Sequence, residues 1–505
     1  MEVRKNGLYK DEQAVTVVSM AMKRSGMELL DVVKEFFSLQ TVAVGFFIGL
    51  LTYQLYNKLK YKSPPGPWSL PLIGNYKRKC PSKAVFLNSL DVVIEAMVKK
   101  KSDFADRPRT KSGDMFSDGG KGIAFSPYSA TWKFQKKVAG KALRYYMLGS
   151  RLEDMVNDVC GKIFERMSQE KEPFYVNEYT GKIVIHVLFN MCFGQKCDLD
   201  SKDVARILKL DEEIVERFNS GFIEDLIPGI TYVYKTMKWR ELEDLADELL
   251  TFIRKEVQKH KDTFEESNIR DYTDSILMAR AEAETQERVE DVAMLTDVYI
   301  VQIIADIFLG GLETTMMTLD WFMAFMVAFP EYQEQCQAEI DQALGKGKSP
   351  SASDRNNLCF TEACMMETMR KGSVAAIGIP HYTICDSSVG GFDIPKGTMV
   401  FNNYWALHND SNFWKDVDKF DPYRYLTKDG KMDMKPESWL PFSAGRRVCL
   451  GEPVARTELL LIAANMLQNF NFKTSSGVKH KVTTKFNAPG NELPEPHKVI
   501  IEKRN

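Results

Sequence analysis

Ten residues near the C-terminus constrain this chain of 505 residues more than any other feature. They run from Phe442 to Gly451 and follow the pattern F-x-x-G-x-R-x-C-x-G, with Gly445, Arg447 and Cys449 at the fixed positions. A cysteine thiolate can bind a metal, glycines on both sides let the backbone approach a flat group closely, and the arginine can pair with an anion. The segment therefore predicts a thiolate-ligated cofactor site. The alternative is a buried structural cysteine in a glycine-containing loop.

A second constraint comes from the segment Val292–Phe329, which has apolar residues in nearly every helical register and predicts a central helix buried on most sides. Inside it lies the run Gly310-Gly311-Leu312-Glu313-Thr314-Thr315. Such residues weaken a buried helix, and this kind of local conflict is typical of a functional site. Glycines let a ligand lie next to the backbone, and Glu313 with Thr314 can pass protons through a water chain. The alternative is a tolerated glycine pair with a threonine bonded back to its own turn.

Together these segments resemble the haem-ligating loop and the oxygen-binding helix of the cytochrome P450 family. The resemblance covers about residues 60 to 500, and its motifs occur in the family's order. Phe104–Pro108 and Trp405–His408 resemble the microsomal group that contains steroid 17-alpha-hydroxylase/17,20-lyase and the aryl-hydrocarbon hydroxylases. The resemblance implies a mainly α fold with a small β region, haem b on the thiolate of Cys449, and Thr314 and Glu313 as the catalytic proton-delivery pair.

The same resemblance implies roles for other residues. The predicted haem-binding set comprises Arg107, Trp132, Lys136, Gly310, Gly311, His381, Phe442, Gly445, Arg447 and Gly451. Its basic and donor members match positions that bind the haem propionates, although each one alone would be interpreted as a surface charge or a satisfied core group. Lys136 lies where arginine is common in the family. A structural network behind the haem loop is implied for Glu367, Arg370 and Arg424, and Tyr423 occupies a position that is usually acidic.

The N-terminal part predicts a membrane anchor. Residues 36–56 carry no charge and would span ~31 Å as a helix, enough to cross a bilayer. Lysines follow at positions 58, 60 and 62, which places the C-terminal side in the cytosol. We therefore expect an extension over 1–35, a single-pass anchor in the endoplasmic reticulum membrane over 36–56, a proline-rich hinge over 57–75 and a haem-thiolate catalytic domain over 76–505. A cleaved signal peptide is the alternative for the apolar segment.

Composition excludes some function classes. A net charge of -2 argues against a nucleic-acid partner, and nine cysteines without paired C-x-x-C spacing fit a reducing compartment. Short extended runs around Gly390-Gly391 and Pro395-Lys-Gly397 predict small β hairpins within Tyr382–Phe401. A basic helix face that could receive an acidic redox partner, or could be a solvated surface, carries Lys133, Lys137, Lys141 and Arg144.

The function these features predict is monooxygenation of a lipophilic small molecule, steroid-like or another lipid or aromatic, with O2. Electrons would come from NADPH through a membrane-bound NADPH-cytochrome P450 reductase, with cytochrome b5 as a further partner, because the sequence shows no flavin or dinucleotide segment. Leu309 stands where related steroid hydroxylases tend to have a small residue, which would narrow the substrate cavity. Two alternatives are a redox-neutral haem-thiolate isomerase or dehydratase acting on a peroxide, and a non-catalytic haem sensor.

Overall fold

The structure is a computed structural model. It describes residues 84–504 apart from 197, 220, 227–228, 346, 476–481, 483 and 489–490, together with residues 42, 44–46, 48–49, 52, 56 and 60–65. The residues from Lys83 to Asn505 form one compact unit.

Helices dominate this unit, as the sequence predicts. They are α1 (Leu90–Ile94), α2 (Lys111–Phe116), α3 (Ala130–Tyr146), α4 (Arg151–Met167), α5 (Asn177–Phe193), α6 (Lys202–Asn219), α7 (Ile223–Leu226), α8 (Met237–Asp262), α9 (Tyr272–Thr285), α10 (Val289–Ala293), α11 (Asp297–Ala328), α12 (Pro330–Leu344), α13 (Cys359–Gly372), α14 (Tyr404–His408) and α15 (Glu452–Asn469). A π-helical turn, Glu95–Lys99, continues α1.

Helix α11 is the predicted central helix, and most of its residues are buried. It packs against α5, α8, α13 and α15. The helix begins at Asp297, five residues later than the sequence pattern indicates, because Val292 and Ala293 end the separate short helix α10 and Thr296 is the residue before the first turn. Among the described residues, α11 alone is long and apolar enough to cross a membrane, and more than half of its most apolar stretch is buried in the protein.

The strands in the described part of the chain form four small sheets. They are β1 (Ala84–Leu87), β2 (Phe174–Tyr175), β3 (His381–Tyr382), β4 (Ser387–Val389), β5 (Phe392–Ile394), β6 (Met399–Asn402), β7 (Phe470–Thr474), β8 (Thr484–Ala488), β9 (Asn491–Pro494) and β10 (Lys498–Lys503). Strand β6 pairs in parallel with β1, with Ala84 opposite Met399, and antiparallel with β3. Strand β10 joins β2 to β7, and β8 pairs with β9.

Of the hairpins predicted within Tyr382–Phe401, the one around Gly390-Gly391 is confirmed as β4 and β5. Gly390 and Gly391 form its two-residue turn with φ of +59° and +76°, which is the backbone of the tight hairpin turns that favour glycine. The one around Pro395-Lys-Gly397 is wrong, because this segment connects β5 to β6, which pairs in a different sheet with β1 and β3. Mainly α with a small β region is therefore the observed fold class.

The predicted anchor over 36–56 lies largely outside the described residues. The positions that are described there, including Val42, Val44, Phe46 and Ile48, are helical and have exposed apolar side chains. Of the predicted hinge over 57–75, residues 60–65 are described; Lys60 is helical and residues 61–65 are not. Both the anchor and the hinge stay predictions.

Candidate active site

The cysteine loop precedes helix α15 directly. The backbone N–H of Cys449 donates to the carbonyl of Phe442 at 2.9 Å, which closes the loop, and Gly451 is the residue before the first turn of α15. Cys449 itself is exposed. Protein atoms around the thiol nevertheless exclude part of its water, and this desolvation raises the pKa of the Cys449 thiol. Hydrogen bonds from the N–H groups of Gly451 and Glu452 act in the opposite direction. A bound metal would deprotonate the thiol outright, and these two N–H donors would then stabilise the thiolate.

Glycine is required at position 445 by a close backbone approach. A Cβ added to Gly445 would lie 1.8 Å from the carbonyl oxygen of Met97, in the π-helical turn after α1. The residue also has φ +77°, a conformation that favours glycine. The cysteine loop is thus fixed against that turn, and any side chain at this position would displace it.

The predicted propionate-binding residues meet around a short loop, residues 121–126. The guanidinium of Arg447 donates to the carbonyls of Ala105, Ile123 and Ser126 at 2.7, 3.0 and 2.6 Å. Arg107 donates to the carbonyls of Ala124, Ile379 and Pro380 at 3.1, 2.8 and 2.8 Å. Trp132 Nε1 donates to the carbonyl of Ile123 at 2.9 Å. The structure therefore brings together residues that are more than 300 positions apart in the sequence.

Lys136 and His381 lie in the same neighbourhood. Lys136 Nζ donates to the carbonyl of Arg446 at 2.6 Å and to that of Val448 at 3.2 Å, so it contacts the cysteine loop itself. His381 is buried and its Nδ1 lies 2.8 Å from the carbonyl of Phe104. Burial, followed by the charge of Arg107, lowers the pKa of His381 well below its usual range, so the ring is neutral.

The charges of this cluster fit the two propionates of a haem. Burial lowers the pKa of Arg107 to about 10, that of Arg447 to about 9 and that of Lys136 to about 8. Repulsion from Arg107 lowers the pKa of Arg447 further, and repulsion from Arg447 and Arg107 does the same for Lys136. No carboxylate in the described part of the chain forms an ion pair with any of the three. Buried cations need anionic partners. Two carboxylates supplied by a cofactor would meet that need, and the thiol of Cys449 could supply the ligand for its iron.

Helix α11 contributes a second part of the site, one exposed face of the helix that is separate from the basic cluster. Gly310 and Thr314 are exposed although most of the helix is buried, and their spacing of four places them on one face. The hydroxyl of Thr314 donates to the carbonyl of Gly310 at 2.6 Å, which is the bonding that the structural alternative predicts. The hydroxyl oxygen can still accept hydrogen bonds. Gly311 lies elsewhere: an added Cβ would be 2.9 Å from Leu188 of α5, so close helix packing accounts for this glycine instead of approach to a cofactor.

Glu313 precedes Thr314 and is half-buried. Burial, with a smaller contribution from the charge of Asp211 on α6, raises the pKa of Glu313 to about 7. Both protonation states of Glu313 are therefore populated near neutral pH, which is the condition for a group that takes up and releases protons.

The predicted network behind the cysteine loop is present as a set of contacts. Arg370 donates from Nε and Nη2 to both oxygens of Glu367 at 2.8 and 2.7 Å, and both side chains are fully buried. Arg424 Nε lies 3.3 Å from Glu367 Oε1. Tyr423 is not part of this network, because its side chain is exposed and its hydroxyl donates to Gln335 at 2.7 Å. In its place, Tyr425 donates to Glu367 at 3.2 Å.

Two residues of the site were not assigned a role from the sequence. The carbonyl of His408 accepts from Arg370 at 2.7 Å, and its Nε2 accepts the N–H of Leu440, two residues before the cysteine loop, at 3.2 Å. Burial lowers the pKa of His408 to about 3. Asp306 on α11 accepts N–H groups of the 121–126 loop. It lies four residues before Gly310, and this helical spacing was the one feature of the sequence that could have indicated a role for Asp306 in the site.

Comparison with known proteins agrees with this geometry. A family model described as Cytochrome P450 matches residues 78–499. Cytochrome P450 1A1 of Rattus norvegicus is 31% identical over 479 residues, covering 88% of this chain and 90% of that protein. Steroid 17-alpha-hydroxylase/17,20 lyase of Squalus acanthias is 33% identical over 403 residues, covering 79% and 78%.

A solved structure, described as a zebra fish cytochrome P450 with progesterone, has a TM-score of 0.73 and 27% sequence identity. The match covers 82% of this chain and 93% of that one. The resemblance noted in the sequence is thereby confirmed, with relatives in both the steroid-hydroxylase and the 1A1 groups. The chain belongs to the cytochrome P450 family of haem-thiolate monooxygenases and is an oxidoreductase.

Proposed function

We propose that this protein inserts one atom of O2 into a lipophilic small molecule with electrons from NADPH, delivered by a membrane-bound flavoprotein reductase. The observation that carries this proposal is the pair formed by Thr314, exposed on a buried helix, and Glu313, whose pKa lies at about 7. A pair that relays protons is needed where O2 is reduced. A redox-neutral isomerase and a haem sensor have no such need.

Each part of the site has its own role. Cys449 would bind the haem iron through its thiolate, and Arg107, Arg447 and Lys136 would hold the propionates. Haem with a thiolate ligand supplies the activation of O2 that leads to oxygen insertion. The chain's own residues position that haem, exclude bulk water and supply protons.

Proton delivery follows from the contacts of Thr314. Because its hydroxyl hydrogen is engaged by the carbonyl of Gly310, its oxygen faces outward as a fixed acceptor that orients a water molecule. Glu313 can give a proton to that water and be reprotonated at neutral pH. Two protons are consumed when the second oxygen atom of O2 leaves as water, so this relay operates in each turnover.

The exposed basic face of α3 is the proposed docking surface for the reductase and for cytochrome b5. It carries Lys133, Lys137, Lys141 and Arg144, all exposed. The face adjoins the cysteine loop, because Lys136 on the same helix contacts the carbonyls of Arg446 and Val448. An acidic partner bound here by charge complementarity would lie next to the residues that hold the haem.

For the substrate we propose a steroid-like molecule or another lipid or aromatic compound. The names of the relatives support this class, since one of them is a steroid hydroxylase and one solved structure was obtained with progesterone. Leu309 lies one residue before Gly310 and is only partly buried, so it would narrow the space beside that face of α11. Membrane attachment in the endoplasmic reticulum, with the catalytic unit in the cytosol, would supply such substrates.

Turnover measurements separate the three functions. Steroids, fatty acids and polycyclic aromatics are first screened for a low-to-high-spin spectral shift, and compounds that shift are incubated with ¹⁸O2. Product that carries ¹⁸O and requires both NADPH and reductase supports the monooxygenase. Product formed from a hydroperoxide without NADPH indicates the isomerase. A spectral shift without product under either condition indicates the sensor.

A further inference from the structure

The carboxylate of Asp306 connects the central helix to the loop that surrounds the basic cluster. It accepts the backbone N–H of Ile123 in a short hydrogen bond and that of Ala124 at 3.1 Å. The preceding residue, Gly122, has φ +89°, and a Cβ added there would lie 2.4 Å from Asp306 Oδ2. The 121–126 loop is thus shaped around this carboxylate.

The carbonyl groups of the same loop face the opposite way, towards the basic cluster. Ile123 accepts from Trp132 and Arg447, Ala124 accepts from Arg107, and Ser126 accepts from Arg447. N–H groups of the loop therefore donate to Asp306, and its carbonyls accept from three residues predicted to hold the haem propionates. A shift of the loop would move all three donors at once.

Asp306 has no ion-pair partner among the described residues, so its contacts are with backbone. Burial raises the pKa of Asp306 to about 6, while the two N–H groups and the charge of Arg447 act in the opposite direction. Removing the carboxylate would leave two backbone donors of the loop without an acceptor, which is costly for buried groups. The loop would then rearrange to satisfy them.

We propose that Asp306 is a positioning residue for haem retention: by holding the 121–126 loop, it fixes Trp132, Arg107 and Arg447 for the propionates. This inference rests on the haem site of the proposed function but not on the reaction catalysed there.

The test compares Asp306→Ala and Asp306→Asn with a matched control, Asp320→Ala. Asp320 is also on α11, burial raises its pKa to about 7, and it accepts one hydrogen bond from Thr180 of α5 at 2.8 Å, with no contact to the loop. Two properties are measured on the haem-loaded proteins. One is the rate of haem transfer to excess apomyoglobin, and the other is the rate of tryptic cleavage after Lys121.

We expect Asp306→Ala to transfer haem about tenfold faster than the wild type, the effect of losing a hydrogen bond to a charged group, and to be cleaved faster after Lys121. Asp306→Asn should be intermediate, because both N–H groups donate to Oδ2 and an amide oxygen in that place still accepts them, but without the negative charge that strengthens the two bonds. The control should stay within about twofold of the wild type in both rates, even where its thermal midpoint falls.

Equal transfer rates in Asp306→Ala and Asp320→Ala would overturn the proposal, whether both are fast or both are slow. If Asp306→Ala holds no haem while the control does, Asp306→Asn decides: faster transfer and cleavage support the proposal, and wild-type rates contradict it. Neither measurement needs reductase, NADPH or substrate. A protein that retains haem in this graded way but oxidises nothing would refute the proposed function and leave the role of Asp306 intact.

Discussion

The guanidinium carbon of Arg447 lies 4.1 Å from the centroid of the Trp132 ring, and both residues donate to the carbonyl of Ile123. The stacking orients the arginine, and the shared acceptor fixes the distance between the two side chains. We predict that Trp132→Phe, which keeps a ring under the cation but loses the N–H donor, weakens haem retention about fivefold, the effect of about 1 kcal/mol for one hydrogen bond. Competition with apomyoglobin measures it. Trp405→Phe, at an exposed tryptophan, should leave retention unchanged.

The identity of the iron ligand is tested by Cys449→His. With the thiolate, the reduced carbon monoxide complex should show the red-shifted Soret band typical of the family. The variant should instead show the band of a histidine-ligated haem, because imidazole donates less charge to iron. Absorption spectra of the reduced complexes decide the matter, and a band that does not move would exclude Cys449 as the ligand.

For Thr314→Ala we expect normal haem content and substrate binding but a diversion of NADPH consumption to hydrogen peroxide. Product formed per NADPH should fall on the order of ten-fold or more, as for a group that positions a proton donor. The matched control is Thr318→Ala, one turn later, whose hydroxyl donates to the carbonyl of Thr314 at 2.7 Å and whose side chain is buried. Coupling that stays at the wild-type level in Thr314→Ala would contradict the proposed relay.

The pair of Glu367 and Arg370 should dominate stability because neither side chain contacts solvent. Glu367→Gln leaves a buried cation without its counter-charge, and we expect a loss of about 3 to 5 kcal/mol or no folded protein. Glu362→Gln on the same helix is the control. Its partners Arg355 and Arg456 are 31% and 22% exposed, so its loss should be much smaller. Urea unfolding followed by tryptophan fluorescence compares the two, and similar losses would argue against the buried network.

We predict that Glu458 makes the stability of the folded protein depend on pH. It is buried on α15, one of its oxygens has no partner, and burial raises its pKa from 4.5 to about 8. The folded protein thus keeps a proton that the unfolded chain releases. The contribution of this proton to the free energy of unfolding is complete below about pH 4.5 and is lost as the pH rises through about 8. Replacing Glu458 by the neutral Gln removes the dependence. Relative to the wild type, Glu458→Gln should gain about 2 kcal/mol between pH 6 and pH 8. A constant difference in the urea midpoints at the two pH values would contradict this.

The features that could be predicted from sequence are those encoded locally. The cysteine loop spans ten residues, Glu367 and Arg370 are one helical turn apart, and the apolar registers of α11 indicate a buried helix directly. The remaining contacts join side chains to backbone groups far away. Asp306 binds N–H groups 182 and 183 residues earlier, and every residue except proline offers the same N–H group, so no sequence pattern marks those partners.

For two residues of the central helix, the residue type alone is compatible with two different roles. For Thr314, a hydroxyl that relays protons and one that bonds to its own turn have the same sequence signature, and the structure shows the second contact while leaving the oxygen able to accept. For Gly311, only the position of Leu188 on α5 distinguishes close packing from approach to a cofactor. Both distinctions depend on which neighbour faces the helix, which is set by tertiary packing.

The hydrogen bond from Arg447 to the carbonyl of Ala105 spans 342 residues, and this has a consequence for biosynthesis. At the usual ~5 to 20 residues per second, a ribosome needs roughly 20 to 70 seconds to proceed from one partner to the other. For most of that interval the nascent chain carries Arg107 and Trp132 but neither Arg447 nor Cys449. Prosthetic-group insertion therefore belongs to the end of translation or follows it, and cells starved of haem would accumulate full-length apoprotein instead of truncated chains.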